Sequence, residues 1–265
     1  RCTVGGMIGN NSAGSRSVWH GKTVDHVIEL DVLLSDGTQA ALKPLTLAQL
    51  AQEQSRPGPL AKIYRTIAKI IDRERDEILA RFPRVLRRVS GYNLDEFIDA
   101  DRPVNLAKLM VGSEGTLGIV LEAKIKLVPL PKHKSVLAIE FDTLLDALGA
   151  TPVILRHKPS AVEVMDKFIL DHTRSSPALD KVRRTFIQGD PGALLCVEFY
   201  SDTAEALRPR MEAVEQDVRE HGVGTHFFYA MDLPAQARIW SVREAALGLS
   251  MARPRPSTIS RRSIA

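Results

Sequence analysis

Two short segments, about a hundred residues apart, gather glycine with serine, threonine and asparagine. The first is Gly5-Gly6-Met7-Ile8-Gly9-Asn10-Asn11-Ser12-Ala13-Gly14, and the second is Gly112-Ser113-Glu114-Gly115-Thr116-Leu117-Gly118. A residue without a Cβ takes backbone angles and permits close approaches that other residues block. Backbone amides clustered with short hydroxyl and amide side chains suit a ligand rich in phosphate oxygens. Each segment runs into a β-patterned stretch. A tight loop with no ligand also accounts for either segment taken alone, so both readings stay open here.

The chain can bury a substantial core: 265 residues, 44% hydrophobic and 26% charged, are ordinary for a globular protein of one large or two modest domains. No apolar run reaches the roughly 20 residues that span a bilayer, and no signal peptide is visible. The formal charge of +4 sits in the last residues. Arg253, Arg255, Arg261 and Arg262 follow Met251 with no acid among them, which leaves +4 − 4 = 0 for the rest. A charge-balanced body argues against a nucleic-acid partner. Cys2 and Cys196 give neither a disulfide framework nor a metal or cluster spacing, and the seven histidines show no metal spacing. Cys196, inside Ala193-Leu194-Leu195-Cys196-Val197, reads as a core thiol. No metal site is expected, and a cytoplasmic location fits the cysteine usage.

Alternation places a strand over Val27 to Ser35, with Ile28, Leu30, Val32 and Leu34 on one face. Asp36-Gly37 signals a hairpin turn, so Thr38 to Leu42 should pair back. Gln52 to Pro59 reads as a polar break, and Ile63, Tyr64, Ile67, Ile70 and Ile71 mark an amphipathic helix ending before Pro83. A further strand follows the second glycine segment and stops at Pro129-Leu130-Pro131, where a domain boundary is expected. Beyond it, strands over Val136 to Phe141, Ala161 to Met165, Ala193 to Tyr200 and Gly224 to Tyr229 alternate with helices. Those helices cover Thr143 to Leu155, the stripe Leu207, Met211, Val214 and Val218, and the segment bearing Ile239, Trp240 and Leu247. A βαβ-βαβ order predicts a ferredoxin-like layer with helices on one face of the sheet. The expected domains are 1–131 and 132–250, with 251–265 a disordered tail.

The first segment is not a dinucleotide fingerprint of the strand–turn–helix type. Asn10, Asn11, Ser12, Gly14 and Ser15 are poor helix formers, and the next clear element is a strand. Gly21-Lys22-Thr23 lacks the earlier glycine of a phosphate-binding P-loop. Glu114, between glycines, either bonds neighbouring amides and fixes its loop or touches a ligand, with loop support favoured. Tyr92 and Asn93 read first as turn formers. Trp240 and Arg243 share a helix face at i, i+3, where a guanidinium can clamp a carboxylate. A surface ion pair or a cation–π contact is the plainer alternative.

Taken in order, the first glycine segment, Leu34-Ser35-Asp36-Gly37, Gly91-Tyr92-Asn93-Leu94, Gly112 to Val120 and Trp240-Ser241-Val242-Arg243-Glu244 resemble the FAD-linked oxidase family of the vanillyl-alcohol-oxidase type. The branch is that of D-lactate, glycolate and D-2-hydroxyglutarate dehydrogenases, and the likeness covers nearly all of residues 1–250. The wording from Arg84 to Asn93 is similar to large bacterial members that append an iron–sulfur domain.

The resemblance implies an α+β protein: the second part of a PCMH-type FAD-binding domain, then a ferredoxin-like substrate cap. It assigns Gly5, Gly6, Met7, Ile8, Gly9, Asn10, Asn11, Ser12, Ala13, Gly14 and Ser15 to FAD, together with Glu114, Gly115, Gly118, Ile119 and Val120. Arg243 would bind the substrate carboxylate while a D-2-hydroxy acid is oxidised to a 2-keto acid by hydride transfer to the flavin. Electrons would leave through an iron–sulfur domain, a quinone or an electron-transfer protein, with peripheral association at the inner membrane. The family's preceding FAD subdomain and its cysteines for an iron–sulfur cluster do not appear. The chain therefore reads as a fragment, inactive or weak in FAD binding by itself, whose residues after Met251 are out of register with the family. Another FAD-dependent alcohol or sugar oxidase, or an inactive nucleotide-binding module, are the alternatives.

Overall fold

The computed structural model describes residues 3–251, with side chains described to residue 245. The chain divides into two compact units, Arg1–Pro129 and Leu130–Ala265.

The first unit opens with three short helices, α1 (Val4–Asn10), α2 (Ser17–His20) and α3 (Thr23–His26), before strand β1 (Val27–Leu33). The expectation of a helix-free glycine segment is thereby corrected. Thr3 caps α1 by accepting the Gly6 N–H on its hydroxyl. Ile8 is buried at its centre, and Asn11 closes it in the left-handed region at φ 53°. Capping at both ends and one core anchor outweigh the low helix propensity of the glycines.

β1 pairs antiparallel with β2 (Gln39–Leu42) through the Asp36–Gly37 turn, where the Asp36 carboxylate accepts the Thr38 N–H and Gly37 takes φ 83°. On its other side β1 pairs antiparallel with β3 (Ile119–Ile125). A register shift between Val27 and Glu29 takes Ile28 out of the ladder, and the Asn105 side chain donates to the Ile28 carbonyl. The predicted strands and hairpin are therefore present, with β1 ending two residues early.

Helix α4 (Leu47–Ser55) lies between β2 and α5 (Pro59–Arg81), so the expected polar break is confined to Arg56–Gly58. Its signal was a capping box: Thr46 and Gln49 exchange side-chain and backbone bonds. α5 starts on Pro59 and buries Ala61, Tyr64, Ile71 and Ile78. A 3-10 turn (Leu94–Phe97) and α6 (Ala107–Met110) complete the unit. Its core joins Leu30 and Val32 of β1 to Ile8, Val24, Leu106 and Met110.

The second unit is a four-stranded antiparallel sheet of β4 (His133–Phe141), β5 (Ala161–Asp166), β6 (Ala193–Ser201) and β7 (His226–Ala230), ordered β5-β6-β4-β7. With α7 (Leu144–Arg156) between β4 and β5 and α10 (Leu207–Glu220) between β6 and β7, this is the ferredoxin-like arrangement. Pro209 stands in the first turn of α10, so it starts the helix rather than kinking it.

Helices cover both faces of the sheet, not one. Leu137, Ile139, Leu195 and Val197 pack under α7 and α10. Val136, Ala138, Leu194 and Cys196 pack under α8 (Lys167–Arg174), α9 (Pro177–Arg183) and α11 (Leu233–Met251). Burial on both sides explains the unbroken apolar run in β6. α8 and α9, between β5 and β6, are absent from the sequence reading because they are only eight and seven residues long, although Asp166 caps the first and Pro177 begins the second. The stretch after Met251, expected as a disordered tail, lies outside the described residues, as do Cys2 and the Leu247 side chain.

Candidate functional site

The two glycine segments meet within the first unit. The N–H of Gly112 donates to the Ile8 carbonyl at 2.9 Å, and that of Glu114 to the Gly9 carbonyl at 3.0 Å. α1 and the 112–118 loop thus share one backbone seam. Glu114 takes φ 51° to make its bond, a conformation uncommon outside glycine. Its carboxylate is exposed and bonds no amide among the described residues, so loop support comes from its backbone, not from the side chain.

Asn11 and Asn93 hold the seam from beneath, and both are buried. The Asn11 Oδ1 accepts the Val24 N–H at 3.0 Å, and its Nδ2 lies 3.5 Å from the Asn93 Oδ1. Asn93 Nδ2 donates to the carbonyls of Val111 at 2.8 Å and Lys108 at 3.0 Å. A third segment, 91–93, is therefore part of the assembly. The Tyr92 hydroxyl bonds the Thr116 hydroxyl at 2.9 Å, and Arg87 Nη2 donates to the Ala13 carbonyl at 3.0 Å. Asn93 reads in sequence as a turn former, and Arg87 carries no local signal for its bond to Ala13. A tie across 82 residues leaves no periodic trace in sequence.

Close approach is specific at three glycines of the two segments: a Cβ on Gly6 would sit 3.1 Å from the Thr3 hydroxyl oxygen. A Cβ on Gly112 would sit 3.1 Å from the Asn11 Cβ, and one on Gly118 2.8 Å from the Leu33 carbonyl oxygen. Elsewhere the opposite holds: a Cβ on Gly5, Gly9 or Gly14 would meet nothing within 4 Å, and Gly115 is equally open although its φ of 80° itself favours glycine. The N–H groups of Ser15, Gly115 and Leu117 have no acceptor among the described residues. Ile119 and Leu121 of β3 are exposed beside this bare backbone. Open glycine backbone, free donors and an apolar rim suit FAD, which joins phosphates to a flat ring. Met7, Asn10, Ser12, Ala13, Gly14, Ser15, Gly115 and Val120 retain surface, whereas the side chains of Ile8 and Asn11 point into the core. Ile8 and Asn11 serve the scaffold.

Below the seam, Lys108 Nζ donates to the Val24 carbonyl. Burial lowers the Lys108 pKa and raises that of Glu96 beside it. In the second unit, Arg243 of α11 forms a two-pronged pair with Glu163 of β5: Nε donates to Oε2 and Nη2 to Oε1, the latter at 3.0 Å. The plainer of the two sequence readings of Arg243 is thus realised. Trp240, one turn earlier, is partly buried against the core of this face. Among the described residues no cluster of His, Cys, Asp or Glu is placed to hold a metal ion, and no helix is long and apolar enough to cross a membrane.

Comparison with known proteins agrees with this division. The family model "FAD binding domain" matches residues 1–43, and "FAD linked oxidases, C-terminal domain" matches residues 130–260. The D-2-hydroxyglutarate dehydrogenase of Pseudomonas putida is 29% identical over 94% of this chain and 25% of its own length; that of Pantoea ananatis is 30% identical with the same coverage. The D-lactate dehydrogenase of Anaerostipes hadrus is 27% identical over 92% of this chain and 41% of itself. The chain thus spans about a quarter of the first two relatives. A solved alkyldihydroxyacetonephosphate synthase shares the fold at 16% identity, with a TM-score of 0.51 over 93% of this chain and 36% of its own. With both family models matched in order along the chain, and with the glycine segments joined by a seam in the first unit, this chain belongs to the FAD-linked oxidase family, in the branch of its D-2-hydroxyglutarate and D-lactate dehydrogenase relatives.

Proposed function

We propose that this chain is part of an FAD-dependent dehydrogenase that oxidises a D-2-hydroxy acid to the corresponding 2-keto acid. The observation that carries the proposal is the shared seam of the glycine segments, which leaves open backbone and free donors in a chain whose relatives are named for such activities. Bound FAD would supply the acceptor for the substrate's hydride.

In this reading Gly5, Gly6, Gly9, Gly14, Ser15 and Gly115 give backbone close to the phosphates, while Gly118, Ile119 and Val120 line the ring. Arg243 binds the substrate carboxylate, fixing which carbon–hydrogen bond is presented. Orientation of this kind is the protein's main contribution to cofactor chemistry. The electron acceptor is an iron–sulfur domain, a quinone or an electron-transfer protein, and the enzyme works in the cytoplasm or at the inner membrane.

Anaerobic titration tests the reading. The enzyme purifies yellow, and D-lactate, glycolate or D-2-hydroxyglutarate bleaches it. A flavin-loaded enzyme inert to all three would refute the assignment.

A further inference from the structure

We propose that Glu163 is the positioning residue for Arg243, holding one edge of its guanidinium so that the other edge is presented to a ligand carboxylate. The proposal rests on the reading of Arg243 as the substrate-carboxylate arginine. Glu163 lies within β5 and is paired in register with Cys196 of β6. Its side chain is 13% exposed against 48% for Arg243. The acid is therefore the more enclosed member and the arginine the more exposed one, tethered from α11 to a strand of the sheet.

Which edge is taken decides what the pair can do. A guanidinium carries five N–H donors arranged as two forks. Glu163 uses the fork made by Nε and Nη2. The fork made by Nη1 and the second Nη2 hydrogen has no partner among the described residues. A ligand carboxylate can dock on that open fork with two parallel hydrogen bonds. Without Glu163 the side chain regains its rotamers and the open fork loses its aim.

Charge and geometry make opposite demands here, so the sign of the effect is diagnostic. By Coulomb attraction alone, removing the Glu163 carboxylate would strengthen the pull of Arg243 on an anion. By positioning, removal weakens binding, because Gln offers one acceptor where the fork needs two. The positioning account requires weaker binding.

The experiment is a two-residue cycle in the flavin-loaded enzyme, with D-2-hydroxyglutarate, D-lactate and glycolate as substrates and a dye as electron acceptor. Glu163→Gln is expected to raise KM for the best substrate on the order of 10- to 100-fold, the penalty of a misplaced clamp, with a smaller change in kcat. Arg243→Lys is expected to raise KM as well. The double variant should be no worse than Arg243→Lys alone, because Glu163 acts only through the arginine. A second readout needs no turnover: the Nε–H resonance of Arg243 should be shifted and slow to exchange in the wild-type chain, and lose both properties in Glu163→Gln.

An unchanged or lowered KM in Glu163→Gln overturns the proposal, and so does a double variant in which the two losses multiply. A distinct result, Arg243→Lys with unaltered KM, would overturn the underlying reading of Arg243 instead.

Discussion

Replacing Asn11 by Ala should loosen the first unit while leaving the second intact. The Asn11 side chain is wholly buried, and its Oδ1 is the acceptor for the Val24 N–H, itself buried. Alanine leaves that donor unpaired, which costs about 1–3 kcal/mol. Asn11 also holds φ 53° and ψ 50°, and a Cβ-bearing residue without a local polar partner adds about 1 kcal/mol there. The 3.5 Å contact with Asn93 is long and adds little to this total. The total is about 2–4 kcal/mol, a large share of a typical domain's stability. At about 1.4 kcal/mol per tenfold, hydrogen-exchange protection across residues 3–26 and 105–113 should fall roughly 30- to 700-fold. Asn11→Gly should recover about 1 kcal/mol of the loss, since glycine accepts the left-handed angle but not the Val24 hydrogen bond. The reasoning fails if protection in the first unit changes less than about threefold, or if residues 130–245 lose as much. It also fails if Asn11→Gly is no better than Asn11→Ala.

Gly9→Ala should raise the stability of the first unit by about 1 kcal/mol in urea titrations and weaken FAD retention at the same time; a gain in stability with unchanged FAD affinity would remove Gly9 from the site. Cys196 is buried in the sheet, and burial pushes its thiol pKa up. It should therefore resist alkylation in native protein and react fully in denaturant, as followed by mass spectrometry of its peptide; rapid native labelling would contradict the packing. Glu96 is held above the ordinary carboxylate value of 4.5, first by burial. A raised folded-state pKa means stability is greatest below the unfolded value and declines as pH rises through the folded one. Glu96→Gln should flatten that decline in urea midpoints measured upward from the ordinary carboxylate range, and an unaltered slope would argue against it.

What the sequence made legible follows from what leaves a local mark. Strand alternation in Val27–Leu33, the Asp36–Gly37 turn and the isoleucine stripe of α5 are local patterns with local causes. The strands and flanking helices of the ferredoxin-like sheet are legible on the same grounds. The second covered face is not, because α8 and α9 span only eight and seven residues, too short for even a clear apolar face to stand out in sequence. The ties that build the site have still less trace. Asn11 to Asn93, Arg87 to Ala13 and Glu163 to Arg243 are pairs separated by 82, 74 and 80 residues. Each member is ordinary in its own neighbourhood, Ala13 taking part only through its backbone carbonyl, and only the fold supplies its partner.

The glycine-rich start was legible as composition and misread as conformation, and the reason bears on function. A helix interior loses about 0.8–1.0 kcal/mol for each glycine placed where alanine would fit. α1 carries Gly5, Gly6 and Gly9 in seven residues, and alanine would fit at Gly5 and Gly9 with nothing in the way. Packing within the unit therefore gives no reason for either glycine. At Gly118 the reason is internal, since the Leu33 carbonyl forbids a Cβ. Glycine that costs stability and fills no internal need belongs where another body must approach the backbone. That distinction, between glycines the fold requires and glycines it merely tolerates, turns a compositional hint into a ligand surface. Under the proposed function that surface is the open side of α1, above the seam, whereas Gly115, at φ 80°, is required by its own backbone.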